Sequence, residues 1–235
     1  MEPLIITARM ESGIAHVLPW SITLDGILAA QLWQQTKLSN SPVAPALDAA
    51  NPPDMPLPLA RCIQEDDWHW SATCAWPDPV PTSPAIHQWS GRMDHRAVGQ
   101  LATNLPKTIS DRQGRYRARM MPLPVTICQT LTWYAIGDPA AILGLLENVH
   151  AIGKKRSQGE GRVLDWNVEP APLNEFTAAH LTPVGTLGRP SLPGCLAGHP
   201  DIRTGGTGPI AIRPPAMHRS RIRDLLLPAP WTAVA

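Results

Sequence analysis

Residues 123–170 constrain the fold more than any other stretch. LPVTICQTLTWYAI (123–136) is a long β-branched and aromatic run that stops at Gly137, and it predicts a strand. Asp138 then stands where a helix wants its N-cap. Pro139 takes the first helical position, where a missing N–H costs nothing. Ile142, Leu145, Leu146 and Val149 recur at i, i+3, i+4 and i+7, the stripe of a helix that runs to Gly153 as its terminator. Beyond the glycine-rich segment 153–161, alternation over 162–169 puts Leu164, Trp166 and Val168 on one face of a further strand.

The first half supplies matching pieces. Residues 4–10 form an apolar, β-branched strand, and Ser21 caps a helix over 22–36 with the stripe Leu24, Ile27, Leu28, Leu32. Six prolines in 39–58 predict an irregular, exposed connection. Residues 68–76 read as a second strand closed by Pro77, and a basic stretch follows. The order is strand, helix, strand, insertion, strand, helix, glycine loop, strand. This is an α+β chain with βαββαβ order, a ferredoxin-like (RRM-like) palm over 1–170 with an insertion at 81–120. Residues 171–235 are rich in proline and glycine, lack periodicity, and predict an extended C-terminal arm.

No apolar run approaches the roughly 20 residues of a membrane span, and the N-terminus has no signal-peptide pattern, so an intracellular, cytoplasmic protein is expected. Four cysteines are then expected as free thiols. Cys62, His69, Cys74 and His87 have the spacing C-x6-H-x4-C-x12-H, which matches no compact zinc module, and neither metal nor cofactor is expected. Charge is split along the chain. Residues 1–80 carry three Lys/Arg against nine Asp/Glu, and residues 81–235 carry 17 against ten. Such a split suggests that one face meets a polyanion, with chance segregation as the plain alternative.

GKKRSQGEG (153–161) frames the functional question. A Walker A loop follows a strand, opens a helix and puts its Lys after the last glycine; here the order is helix, loop, strand and the cations lie between glycines. A Rossmann fingerprint fails on the same topology. A helix C-terminus explains Lys154, Lys155 and Arg156 through its dipole but has no use for Gly159 and Gly161. Glycines that let a backbone approach closely, together with cations, suit a sugar–phosphate chain. Residues 85–119 add Arg92, Arg96, Lys107, Arg112, Arg115, Arg117 and Arg119 against two acids. Arg115, Arg117 and Arg119 would share one side of a strand, either as a grip or as a charged, solvated edge. The tail carries Arg203, Arg213, Arg219, Arg221 and Arg223, with no acid from 202 to 223. Trp68, Trp70, Trp76 and Trp89 are stacking candidates or core residues.

A helix, a glycine-rich basic loop and a last strand in this order resemble the signature of the RAMP superfamily of CRISPR RNA-binding proteins. IGKKRSQGEGRVLDWNVEP (152–170) resembles, more narrowly, the type IV effector-complex subunit that binds the five-prime handle of the crRNA. The start of the chain (4–12 and SITLDGILAA), WHWSA (68–72), DRQGRYRARMMPLP (111–124) and IRPPAMH (212–218) agree with that family. The loop departs from it at Glu160, where the family carries an aromatic residue. The resemblance implies that the insertion is a β-hairpin thumb. It implies a non-catalytic crRNA-binding subunit that caps a filament of backbone subunits, touches a large-subunit-like protein and helps inspect duplex DNA beside the target. The charge split, apart from the resemblance, suggests the acidic first third as its protein-facing side. The RNA contacts would be Gly153, Lys154, Lys155, Arg156, Ser157, Gln158, Gly159, Gly161 and Arg162, with Arg92, Arg96, Arg115, Arg117, Arg119, Arg213 and Arg219.

Two alternatives stay open. Relatives include metal-independent endoribonucleases, for which His95, Tyr116 and Lys107 are the acid–base candidates. The other is a structural interaction protein with no direct RNA contact.

Overall fold

Strand β1 (Glu2–Met10) lies at the centre of the main sheet, because every second residue of it is apolar. Leu4, Ile6 and Ala8 have no exposed surface. Directly across from them stand Ala135, Trp133 and Leu131 of β8 (Thr130–Gly137), which are equally buried. These cross-strand pairs fix the register, since a slip of one residue would turn the whole apolar set outward. Helices α1 (Leu24–Leu38) and α2 (Pro139–Leu146) cover this face with Leu24, Leu28, Ile142 and Leu146. Each such fully buried side chain contributes about 1.5–3 kcal/mol relative to exposure. Trp133 satisfies its one polar atom by donating Nε1–H to the carbonyl of Ile22 at 3.0 Å.

The computed structural model describes residues 1–38, 52–65, 67–83, 85–94, 96, 99–100, 109–110, 112–114 and 117–231. The chain is a mixed α/β protein with antiparallel sheets. The main sheet has the order β5–β8–β1–β9, with β5 at Trp76–Asp78 and β9 at Val163–Pro170, and all its neighbours run antiparallel. A second sheet has the order β2–β7–β6, formed by Ile14–Ala15, Arg119–Thr126 and Ala85–Gly91. Strands β6 and β7 pair from Ala85↔Val125 to Gly91↔Arg119. Pro122 and Pro124 sit in the middle strand of this sheet. They are tolerated because β2 pairs only with Val125 and Thr126, so the prolines lie where just one neighbour is present. Among the described residues no helix is long and apolar enough to cross a membrane.

Several expectations are revised. The run 123–136 is two strands, β7 and β8, that belong to different sheets. The chain passes between them at 127–129, where Gln129 accepts from the Met10 amide at 2.8 Å and donates to the Asp78 carbonyl at 2.9 Å. The run 68–76 is likewise split between β4 (Asp67–Trp70), paired with β3 (Arg61–Gln64), and the start of β5. Helix α1 begins at Leu24, with Thr23 Oγ1 accepting from the Gly26 amide at 3.1 Å, and not at residue 22. Helix α2 keeps its expected Asp138 cap, which accepts from Ala140 and Ala141, but ends at Leu146. In β9 the register shifts between Arg9 and Met10, so that Leu164 is turned out and Val163 is buried in its place. Of the connection 39–58, residues 39–51 lie outside the described residues. Leu57, with the adjoining Leu59, is buried on the core.

Residues 171–231 form a folded layer where the sequence suggests an extended arm. Helix α3 (Glu175–His180) lays Ala178 and Ala179 against Ile136. A turn of 3₁₀ helix (Pro193–Leu196) and the hairpin β10–β11 (Thr207–Ala211, Ile222–Leu226) follow. Arg189 anchors this layer: 2% exposed, it lies 3.6 Å from Asp25 and donates to the carbonyls of Trp70, Ala72 and Ile212.

Candidate nucleic-acid interface

The glycine loop is a closed lobe and not a helix terminus. Its neck is zipped by Ile152 donating to the Gly161 carbonyl at 2.9 Å, a bridge between Ala151 and Arg162, and Val163 donating to the His150 carbonyl at 3.0 Å. Seven residues separate the end of α2 from Lys154. A helix dipole acts within the last turn, so it does not explain the loop cations.

Two of the three glycines have internal reasons. A Cβ on Gly161 would stand 1.9 Å from the Ile152 carbonyl, and one on Gly153 would stand 2.5 Å from the Ala15 carbonyl; both residues have positive φ. Gly159 also has positive φ, but nothing lies within 4 Å of its Cβ position. It sits beside open space at the tip, after the short 3₁₀ turn Arg156–Gln158.

The lobe is braced against the β2–β7–β6 sheet at three points, two of them on β6. Lys154 donates its amide to the Ala15 carbonyl of β2 at 2.8 Å. Lys155 places its ammonium over the Trp89 ring, 3.2 Å from the centroid. Glu160 Oε1 lies 2.9 Å from His87 Nδ1. His87 and Trp89 alternate on β6 and so face one side, together with their partners Leu123 and Met121. Arg119, opposite Gly91, continues that same face one step beyond Trp89. Lys154, Arg156, Ser157, Gln158, Arg162 and Arg119 are exposed. Lys154 and Arg156 have no ion pair among the described residues, while Arg162 reaches Glu11 at 3.4 Å. The lobe and the hairpin face it rests on thus both present exposed cations, and together they form a candidate basic saddle.

The remaining expected contacts are distributed differently. Arg92 and Arg96 are exposed just past the end of β6, and Arg117 just before β7. Arg115 lies outside the described residues, as do Lys107, His95 and Tyr116. Arg219 is exposed in the C-terminal layer. Arg213 is 10% exposed and occupied internally: it pairs with Asp54 at 3.1 Å and with Asp67, donates to the Trp68 carbonyl, and stacks on the Trp68 ring. Arg221 pairs with Asp54 and Arg223 with Asp67. Part of the charge split along the sequence is therefore an internal match between the acidic first third and the arginine-rich end. Trp70 and Trp76 are buried, and the Trp68 ring meets the guanidinium groups of both Arg61 and Arg213, 4.1 and 4.3 Å from its centroid.

An apolar cleft of about 510 Å³ opens elsewhere, between α1 and residues 210–217, over the buried Asp25–Arg189 pair. It shares no lining residue with the saddle. Sequence reasoning missed both this cleft and the bracing role of His87, and period-two alternation along 85–91 was the signal available for the latter.

Residues 84–176 match the family described as CRISPR type IV associated protein Csf3. The matched span begins at the hairpin, includes the glycine lobe and ends within α3. It supports a type IV CRISPR subunit and, with it, membership of an effector complex. No curated protein matches the chain.

Proposed function

We propose that the chain is a non-catalytic subunit of a type IV CRISPR ribonucleoprotein that holds the five-prime handle of the crRNA in the saddle between the glycine lobe and the β6–β7 hairpin. The similarity over residues 84–176 is the premise. The observation that carries the reading is the bracing of the lobe on the hairpin face that bears His87, Trp89 and Arg119, with Lys154 and Arg156 exposed on the lobe itself. A saddle preorganised in this way binds a ribose–phosphate chain without first having to order a loop. Handle specificity would come from bases pinned by side chains, since single-stranded RNA exposes its faces and edges.

The main-sheet order supports a RAMP-type, ferredoxin-like palm. The strands first, second, third and fourth in sequence (β1, β5, β8, β9) stand in the order second, third, first, fourth. Helices follow the first and third. The inserted hairpin would then be the thumb. In this reading the subunit caps the filament of backbone subunits, meets the large-subunit-like protein and lies near duplex DNA beside the target. Exposed Ile86, Met120 and Met121 on the hairpin fit a subunit contact.

Photo-crosslinking of the complex purified with its RNA tests this reading. Adducts are expected in peptides covering 153–162 and the hairpin. RNA adducts confined to other parts of the chain would overturn it, and cleavage of precursor RNA by the purified chain would replace it with the nuclease alternative.

A further inference from the structure

Four side chains far apart in sequence converge beneath the C-terminal layer. Cys62 on β3 and His69 on β4 stand directly opposite each other in their hairpin. His180 ends α3, and Cys195 lies in the 3₁₀ turn Pro193–Leu196. One ligand-type atom of each falls within 4.8 Å of every other. Cys62 Sγ is 3.9 Å from Cys195 Sγ, and Cys195 Sγ is 3.4 Å from His69 Nε2. His69, His180 and Cys195 are 0%, 5% and 8% exposed.

The imidazoles are oriented as metal-binding ones are. His69 Nδ1 is 2.9 Å from the Trp70 carbonyl, and His180 Nδ1 is 3.2 Å from the Phe176 carbonyl. A carbonyl only accepts, so each ring carries its proton on Nδ1 and keeps a bare lone pair on Nε2. A backbone partner on the outer nitrogen is the usual support of a histidine ligand. His180 Nε2 has no hydrogen-bond partner although it is buried. Such an atom is costly unless something else meets it.

Distances agree with one metal. A tetrahedral zinc ion with Zn–S of about 2.3 Å and Zn–N of about 2.0 Å needs S···S of about 3.8 Å and S···N of about 3.5 Å. The separations of 3.9 and 3.4 Å fall on those edges. A disulfide would need the sulfurs about 2.05 Å apart.

We propose that Cys62, His69, His180 and Cys195 bind one zinc ion in a closed, tetrahedral, structural site. Two thiolates and two neutral imidazoles cancel the ion's charge, which allows its burial. Two sulfurs and two nitrogens in this geometry select zinc over magnesium or calcium. Four protein ligands leave no open position for chemistry. The ion staples the β3–β4 hairpin to α3 and the 3₁₀ turn, joining the acidic first third to the C-terminal layer. Cys74 and His87, which the sequence offers as alternatives, are engaged elsewhere: Cys74 donates to the Trp20 carbonyl at 3.1 Å, and His87 meets Glu160.

The test uses the full chain, purified under reducing conditions without a histidine tag. Elemental analysis is expected to find one zinc per chain. The metal-stripped chain titrated with Co²⁺ is expected to develop tetrahedral d–d and thiolate charge-transfer bands that saturate at one equivalent and vanish on adding zinc. Cys74→Ser keeps these signals, and Cys195→Ser or His180→Ala loses the stoichiometric metal. The wild-type titration stands even where those variants fail to fold. A wild-type chain that binds neither metal overturns the site. So does an intact Cys62–Cys195 disulfide in the native chain, or full zinc retention by the Cys62→Ser/Cys195→Ser double variant.

Discussion

Lys155 Nζ sits 3.2 Å from the centroid of the Trp89 ring, so the middle one of three consecutive cations holds the lobe to the hairpin. Its neighbours Lys154 and Arg156 are exposed and carry the lobe's outward charge. One KKR run therefore divides into a brace and two exposed cations. The Lys155 backbone, held at φ 58°, makes the turn that separates them.

Lys155→Ala and Trp89→Ala should each destabilise the chain, with a coupling in the double-mutant cycle of about 1–2 kcal/mol, as expected for a partly desolvated cation–π pair. Lys154→Ala and Arg156→Ala should stay within about 0.5 kcal/mol of wild type. Urea unfolding of the wild type and the five variants measures both, and a coupling near zero would remove the brace.

RNA affinity should follow the opposite pattern. Neutralising a phosphate on a single strand contributes about 0.7 to the slope of log K against log salt, so Lys154→Ala/Arg156→Ala should flatten that slope by about 1.4. Fluorescence anisotropy with a handle RNA at several salt concentrations reads this directly. An unchanged slope would place the RNA elsewhere.

The glycines should separate by position. Gly161→Ala drives a Cβ to 1.9 Å from the Ile152 carbonyl and opens the neck; a loss above about 3 kcal/mol is expected, in the range of severe core lesions. Gly159→Ala meets open space and bears only left-handed strain, about 1–2 kcal/mol. Thermal unfolding ranks the two, and equal losses would contradict the packing.

Acid should weaken the C-terminal layer through Asp67. Burial alone would raise its carboxyl, but the Trp68 amide and the guanidinium groups of Arg213 and Arg223 hold it below the ordinary value. A depressed carboxylate gives stability that is present above the unfolded pKa and lost as pH falls through the folded one. Asp67→Asn should therefore lose roughly 1.5–3 kcal/mol at neutral pH, the worth of hydrogen bonds to a charged group, and respond less to acid than wild type. Parallel acid limbs in the two unfolding profiles would refute the assignment.

The sequence by itself determined what neighbours along the chain can decide. The alternation of Leu4, Ile6 and Ala8, the Asp138–Pro139 helix start and the stripe Ile142, Leu145, Leu146 all appear in the fold, because each is a local period or cap. The basic glycine segment was also legible as a loop. Tertiary structure alone decided which sheet a β-prone residue joins: the run 123–136 reads as one strand and, past Pro124, carries no mark of where it leaves one sheet for another. It alone separated Gly153 and Gly161, crowded by carbonyls, from Gly159 in open space. It also matched Asp54 and Asp67 with arginines more than 145 residues away and brought Cys62 and His69 to His180 and Cys195. Spacing rules read ligands and ion pairs only when they lie close in sequence, whereas here packing of the last layer on the first hairpin closes the distance.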